Sequence, residues 1–282
     1  MMALPASFMR DGFLAPSALD TKLKHLLVAT EGQTDTGKTE FGMSAPGPII
    51  ILALDRMYDG VLDNATPPPT RRSDIGIKVI QVPLQGTTSQ KDYVEYWDSF
   101  YKEYKKALSN PDVRTVLLDG DSDSWELQRL GEFGRLEKVP ALKYVGPNAS
   151  RRAMIAKAFD SGKIVIATNK IKDMYMDKIN PTTGQPERGN DGNIIRIKSG
   201  EQEAQGFSDQ DYLWHVRLRH LYKPAYVNSV THKKVPQQWG VRILKAKANT
   251  ALKDLELWGE ECNFKTLVEL IYPNVPLSRW GY

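Results

Sequence analysis

The sequence predicts an α/β protein built on a mainly parallel sheet flanked by helices, with antiparallel strands added late in the chain. Three observations lead there. Apolar runs at 26–30, 49–54, 115–118 and 164–168 each have the length of a strand buried on both faces, and 75–82 reads as a further strand. Helical periodicity fills several of the intervals between them, the alternation expected of a parallel sheet with crossover helices. From residue 212 onward the pattern changes to apolar and polar residues in alternation, as in strands with one buried face.

The elements can be justified in order. Residues 1–23, with Pro5, Gly12 and Pro16, show no sustained period and read as an N-terminal arm. The run at 26–30 leads into a glycine-containing loop and then a helix. The run at 49–54 ends at Asp55. Pro67, Pro68 and Pro69 make 63–74 a surface loop. Val94, Trp97, Tyr101, Tyr104 and Leu108 recur at spacings of three and four, which predicts a helix ending before Pro111 with that stripe in the core. The 115–118 run ends in Asp119. Asn148 or Ser150 can cap a helix over 151–159, with Gly162 as its stop. The glycines and prolines of 180–206 describe a long excursion with one short strand at 194–197. Over 212–218, Tyr212, Trp214, Val216 and Leu218 share one strand face and His215, Arg217 and Arg219 the other. A further strand is expected at 241–246. A core of 24–254 followed by a C-terminal helix and tail over 255–282 completes the organisation.

At 282 residues with 41% hydrophobic residues, the chain can bury one sizeable core. The single cysteine, Cys262, excludes an internal disulfide framework. No apolar run reaches the roughly 18 residues of a membrane span. With a start that lacks the pattern of a secretory leader, these features predict an intracellular, cytoplasmic protein without a membrane partner. Charge is uneven: residues 212–253 carry nine Lys or Arg and no Asp or Glu, whereas the remainder is net acidic. Such a block is either a solvated face or an electrostatic footprint for an anion.

The chemistry concentrates in Gly32-Gln33-Thr34-Asp35-Thr36-Gly37-Lys38-Thr39, which satisfies G-x-x-x-x-G-K-S/T at every required position. In this phosphate-binding loop, glycines let the backbone wrap so that successive N–H groups face a phosphate, and the following helix points its positive dipole at the same place. Lys38 would reach the β- and γ-phosphates of ATP, and the Thr39 hydroxyl would help hold Mg²⁺. The second metal anchor is expected from an acid at the carboxyl end of a neighbouring strand. Asp119 is the best placed, with Asp121 and Asp123 close behind. Asp55, with Asp59 behind it, is the candidate to orient or deprotonate water. Asn169 could bond the γ-phosphate and report its loss, or be a turn residue. Guanine recognition by N-K-x-D fails at Asn169-Lys170-Ile171-Lys172, where a lysine replaces the aspartate, so adenine is the expected base.

Together, residues 32–39, the strand ending in Ile51-Leu52-Ala53-Leu54-Asp55, the Asp119 strand and Ile164-Val165-Ile166-Ala167-Thr168-Asn169 resemble the RecA-like ATPases, and within them the small ATP-binding proteins of bacteriophages that include single-strand annealing and recombination factors. The resemblance spans about residues 24–252, and only its loop motif is highly specific. It implies ATP and Mg²⁺ as ligands, Lys38, Asp55, Asp119 and Asn169 as catalytic groups, single-stranded DNA as partner and a homo-oligomer in a bacterial host cell. Where the family commonly has a catalytic glutamate two residues after the aspartate of the second strand, this chain has Met57. The family's DNA-facing loop matches 180–206, but residues 170–211 hold six basic and eight acidic residues. The later block, with Arg217, Arg219, Lys233, Lys234 and the rings of Tyr212, Trp214, Tyr222, Tyr226 and Trp239, matches phosphate and bases better. Lys245-Ala246-Lys247 partly resembles the K-x-R element that rings of this family insert into a neighbouring subunit's site. The expected function is DNA-coupled ATP hydrolysis in phage or bacterial recombination or replication. The alternatives are a packaging or helicase-loading ATPase, a small-molecule kinase, or a nucleotide-gated scaffold without turnover.

Overall fold

A computed structural model describes residues 25–54, 73–80, 88–134, 139–189, 191–207, 209–227, 229 and 233–282. The predicted N-terminal arm, Asp55, Met57, Asp59 and the triple-proline segment lie outside these residues.

Twelve strands and seven α-helices are found among the described residues. The strands are β1 (Leu26–Glu31), β2 (Ile49–Ala53), β3 (Ile75–Val79), β4 (Thr115–Asp119), β5 (Ile164–Asn169), β6 (Ile171–Asp177), β7 (Arg196–Ala204), β8 (Val216–Lys223), β9 (Tyr226–Val227), β10 (Lys234–Val235), β11 (Gln238–Ala246) and β12 (Glu256–Trp258). The helices are α1 (Lys38–Met43), α2 (Gln90–Ser109), α3 (Asp121–Phe133), α4 (Val145–Asp160), α5 (Gln210–Leu213), α6 (Phe264–Ile271) and α7 (Leu277–Trp280). Eight strands form one sheet in the order β12-β11-β8-β1-β5-β4-β2-β3. From β8 to β3 every neighbouring pair is parallel, and β11 and β12 extend the sheet in antiparallel fashion.

The strands at the centre of the sheet are apolar on both faces because helices cover both. Leu27, Ala29, Leu52, Val116, Leu118 and Val165 pack with α2, α3 and α4 through Phe100, Tyr104, Leu127, Leu130 and Met154. The alternate residues Leu26, Val28, Ile49, Ile51, Ile164 and Ile166 pack with Phe41 of α1, Phe264, Leu267 and Val268 of α6 and Trp280 of α7. Residues 255–282 thus supply both an edge strand and the α6 face that closes this second core.

Several expectations need correction. The stripe on α2 is rotated: Tyr93, Phe100, Tyr104, Ala107 and Leu108 are buried, whereas Val94 is exposed. This helix begins earlier than its stripe because Ser89 and Asp92 form a reciprocal capping box. α4 starts at Val145, ahead of the expected Asn148 or Ser150 cap, and has no side-chain cap. Asp121 and Asp123 open α3, which periodicity did not reveal, since only a glycine separates it from β4. The excursion at 180–206 is ordered by pairing: β6 and β7 form a two-stranded antiparallel ribbon, continued by isolated bridges between Ile179 and Pro186 and between Arg188 and Ile194. The expected strand at 212–218 begins only at Val216. Tyr212 lies in α5, exposed, while Trp214 is buried as its apolar surroundings require.

Under this layer a buried ion pair joins α3 to α4. The Arg151 guanidinium donates to the Asp121 carboxylate and carbonyl, with both side chains almost fully enclosed. Removing one member leaves the other charged and unpaired in the core, so Arg151→Ala should lower unfolding stability by about 3–5 kcal/mol. Urea denaturation followed by far-ultraviolet circular dichroism checks this; a loss below about 1 kcal/mol would show that water replaces the guanidinium.

Candidate functional site

The parallel register brings the carboxyl ends of β1, β5, β4 and β8 to one edge of the sheet, where ligands of open α/β sheets collect. Residues 32–39 leave β1 there and turn into α1. Gly37 is the N-cap of α1 at φ 81, a left-handed conformation suited to glycine, and no side chain caps the helix. The first-turn N–H groups therefore remain for an acceptor outside the helix. Gly32 is required for a second reason: a Cβ there would sit 2.8 Å from Thr36 Oγ1 and 2.9 Å from His220 Cβ. The loop is braced from within, as Thr36 Oγ1 donates to the Gln33 carbonyl at 2.8 Å. The Lys38 ammonium folds back onto the carbonyls of Gly32, at 3.1 Å, and Gln33. Burial lowers the Lys38 pKa from its ordinary value, with Asp119, Asp35 and Glu40 acting in the opposite sense.

Thr39 and Asp119 meet. Thr39 Oγ1 donates to Asp119 Oδ2 at 2.9 Å, and Asp119 Oδ1 accepts from Thr168 Oγ1 at 2.7 Å. Thr168 also accepts from the Gly120 amide at 2.9 Å, so the carboxylate is oriented through the end of β5. A hydroxyl beside a carboxylate at the head of α1 is a hard-oxygen donor pair of the kind Mg²⁺ uses alongside phosphate and water. Among the described residues no three His, Cys, Asp or Glu side chains group to hold a metal by themselves. A cation here would need phosphate or water as further ligands.

Asn169 is buried at the end of β5, its amide 3.4 Å from the Thr30 carbonyl and its carbonyl 3.4 Å from Ser122 Oγ. The Ser122 hydroxyl gives its one proton to the Gln205 carbonyl, at 2.5 Å, where the ribbon returns. The basic residues separate into three groups. Arg217 and Arg219 of β8 are turned toward Glu31, the last residue of β1: Arg217 Nη2 lies 2.5 Å from Oε2, and Arg219 Nε donates to Oε1 at 2.7 Å. Lys233 and Lys234 are exposed on the β9–β10 hairpin. Lys245 and Lys247 stand at the opposite edge of the sheet, since β11 runs antiparallel to β8 and Ala246 pairs with Val216; Lys247 there donates to the Tyr212 carbonyl at 2.8 Å.

Sequence reasoning did not single out Glu31, Thr168 or His220. Glu31 carried one usable sign, an acid ending an otherwise apolar strand opposite two alternating arginines. His220 lies under the loop, Nδ1 donating to the Thr36 carbonyl at 3.1 Å and Nε2 buried without a hydrogen-bond partner. Its ring meets Phe41 edge to face.

No protein-family model matches the chain, and no curated protein is significantly similar to it.

Burial holds the pKa of His220 down to about 3 and that of His215, which accepts the Leu27 amide, down to about 4. The unfolded chain binds these protons near the ordinary value of about 6.5, so stability is retained above that pH and falls as pH drops from about 6.5 toward 4. Each histidine contributes a slope of up to about 1.4 kcal/mol per pH unit within that window. In His220→Asn, which can still donate to the Thr36 carbonyl, the slope should flatten by about that amount. Urea midpoints between pH 7 and 4.5 provide the check; parallel slopes in both proteins would contradict the assignment.

Proposed function

We propose that the chain is a RecA-like ATPase that binds ATP·Mg²⁺ on residues 32–39 and couples it to single-stranded nucleic acid. The observation that carries the reading is the 2.9 Å contact between Thr39 and Asp119, residues 80 positions apart that the phosphate-loop motif requires to share one cation. In this reading Lys38 exchanges its loop carbonyls for β- and γ-phosphate oxygens, and the uncapped start of α1 supplies N–H donors. Thr39 and Asp119 hold the Mg²⁺ shell. A Mg²⁺ held by these residues would supply positive charge against the triphosphate. Asn169 lies beside Ser122, whose hydroxyl bonds the ribbon, and in this reading it would transmit the state of the γ-phosphate.

The nucleic-acid part rests on charge and an exposed ring rather than on fold alone. Residues 212–253 hold no acid, and Lys233, Lys234 and Tyr226 are exposed at or beyond the loop edge of the sheet. Lys245 and Lys247, at the far edge, are suited only to a neighbouring subunit's site, which would make turnover depend on homo-oligomer assembly. A second reading, nucleotide binding with little turnover, is favoured by Met57, which stands where the resembled family commonly has its catalytic glutamate.

ATP hydrolysis measured with and without single-stranded DNA, across salt, separates the readings. Wild type should turn over ATP faster with DNA, with a stimulation that fades as salt rises. Lys38→Ala should abolish turnover, and Asp119→Asn should reduce it by about a hundredfold or more. DNA-independent turnover would favour a kinase or a motor of another kind. Tight binding without turnover would favour the gated scaffold.

A further inference from the structure

The loop at 32–39 has a neighbour that its phosphate chemistry does not use. Trp239, at the start of β11, donates its indole Nε1–H to the Asp35 carbonyl at 3.2 Å and packs over Gly37, where an added Cβ would lie 3.5 Å from its ring. Asp35 is itself held at φ 60, so this bond fixes an unusual turn of the loop. Tyr222 of β8 pairs with Trp239, ring centroids 6.1 Å apart at 49°. Both rings remain well exposed, Tyr222 at 45% and Trp239 at 39%. The one polar group of the indole is spent on the loop, so what Trp239 offers outward is ring surface.

Position says what that surface would meet. The loop leaves β1, which lies between β5 and β8. Asp119, the cation anchor, is two strands away on one side, on β4. Trp239 is two strands away on the other, on β11. At the usual strand spacing each stands about 10 Å from the β1 axis. A nucleoside triphosphate lying across the loop with its γ-phosphate toward the Asp119 cation must direct its other end toward β8 and β11. That end is the base.

We propose that Trp239, supported by Tyr222, is the nucleobase platform of this site, which assigns its ligand as a nucleoside triphosphate bound by stacking, with purines favoured over pyrimidines by ring area. The assignment rests on the nucleotide-binding reading above. A platform that presents a ring face reads no hydrogen-bonding edge, so stacking on it does not by itself separate ATP from GTP.

Equilibrium binding of ATP and of inorganic tripolyphosphate, each with Mg²⁺, tests the platform in wild type, W239A and W239F. Tripolyphosphate keeps the phosphate contacts and has no base. W239A should bind ATP about tenfold more weakly with tripolyphosphate affinity unchanged, and W239F should stay close to wild type for both. Indole emission gives a second readout that needs no truncation: ATP, but not tripolyphosphate, should quench wild-type fluorescence, and the quench should vanish in W239F. Equal weakening of both ligands in W239A would overturn the platform, showing that the ring only braces the loop, as would unchanged ATP affinity or a quench that survives in W239F. If wild type binds neither ligand, the nucleotide reading itself fails. Wild type that binds tripolyphosphate as tightly as ATP overturns the platform alone.

Discussion

The arrangement depends on the Asp119 carboxylate, whose two oxygens serve different elements. One accepts from Thr39 at the head of α1 and the other from Thr168 near the end of β5. The acid therefore joins the helix that follows the loop to the strand that lies between β1 and β4. Both bonds require β4 and β5 to be parallel and in register, so that Leu118 pairs with Ala167 and the next residues emerge together. Burial enforces that register. A slip of one residue would turn Val116 and Leu118 toward the α6 side of the sheet and Leu117 toward the α2 side, against the fit of both cores.

A second polar centre sits behind the loop and has a different character. Glu31 is buried and faces two guanidiniums, which makes it a costly group to enclose unless its partners are fixed. They are fixed by strand pairing, since Glu31 is opposite Arg219 in the parallel β1–β8 ladder. Arg219 has a further bond, from Nη2 to the Gln202 carbonyl of β7 at 2.9 Å. The residue preceding Gly32 is thereby connected to the ribbon by a single side chain. Arginine suits this role better than lysine because its planar fork can serve a carboxylate and a carbonyl at once.

Much of the fold was legible because the core strands are continuous apolar runs bounded by polar residues, and because the loop motif is local in sequence. β1, β2, β4 and β5 were placed to within a residue or two. What was missed depends on partners remote in sequence. β6 was missed because its apolar Ile171, Met174, Tyr175 and Met176 keep no strand alternation, and β7, expected only as a short strand at 194–197, is largely polar and takes its length from pairing with β6. α3 has its buried Asp121 neutralised by Arg151, thirty residues on, and without that partner in view the acid reads from sequence as a runner-up to Asp119. At the site, the motif residues and Asp119 were legible from spacing. Arg217 and Arg219 read as nucleic-acid contacts because sequence shows an alternating basic face and not the Glu31 carboxylate that both of them address.

The ribbon is where these constraints converge. It leaves β5 directly after Asn169 and returns at Gln205, whose amide donates to the Lys170 carbonyl at 2.7 Å and whose side chain donates to Glu126 of α3 at 2.6 Å. Its base is thus held at Ser122, Lys170, Glu126 and Arg219, and three of these belong to elements that end or begin at the loop edge of the sheet. Among the described residues its far part has no such anchors and exposes Tyr175, Met176, Ile179 and Ile197. A two-stranded ribbon gains little stability by itself, so its orientation is set by that base. Any rearrangement that displaces Asn169 or Glu31 must either break those bonds or swing the ribbon as a unit. Because a small displacement at the base is multiplied along its length, the ribbon is the element of this fold best built to make a change at the loop visible at a distance.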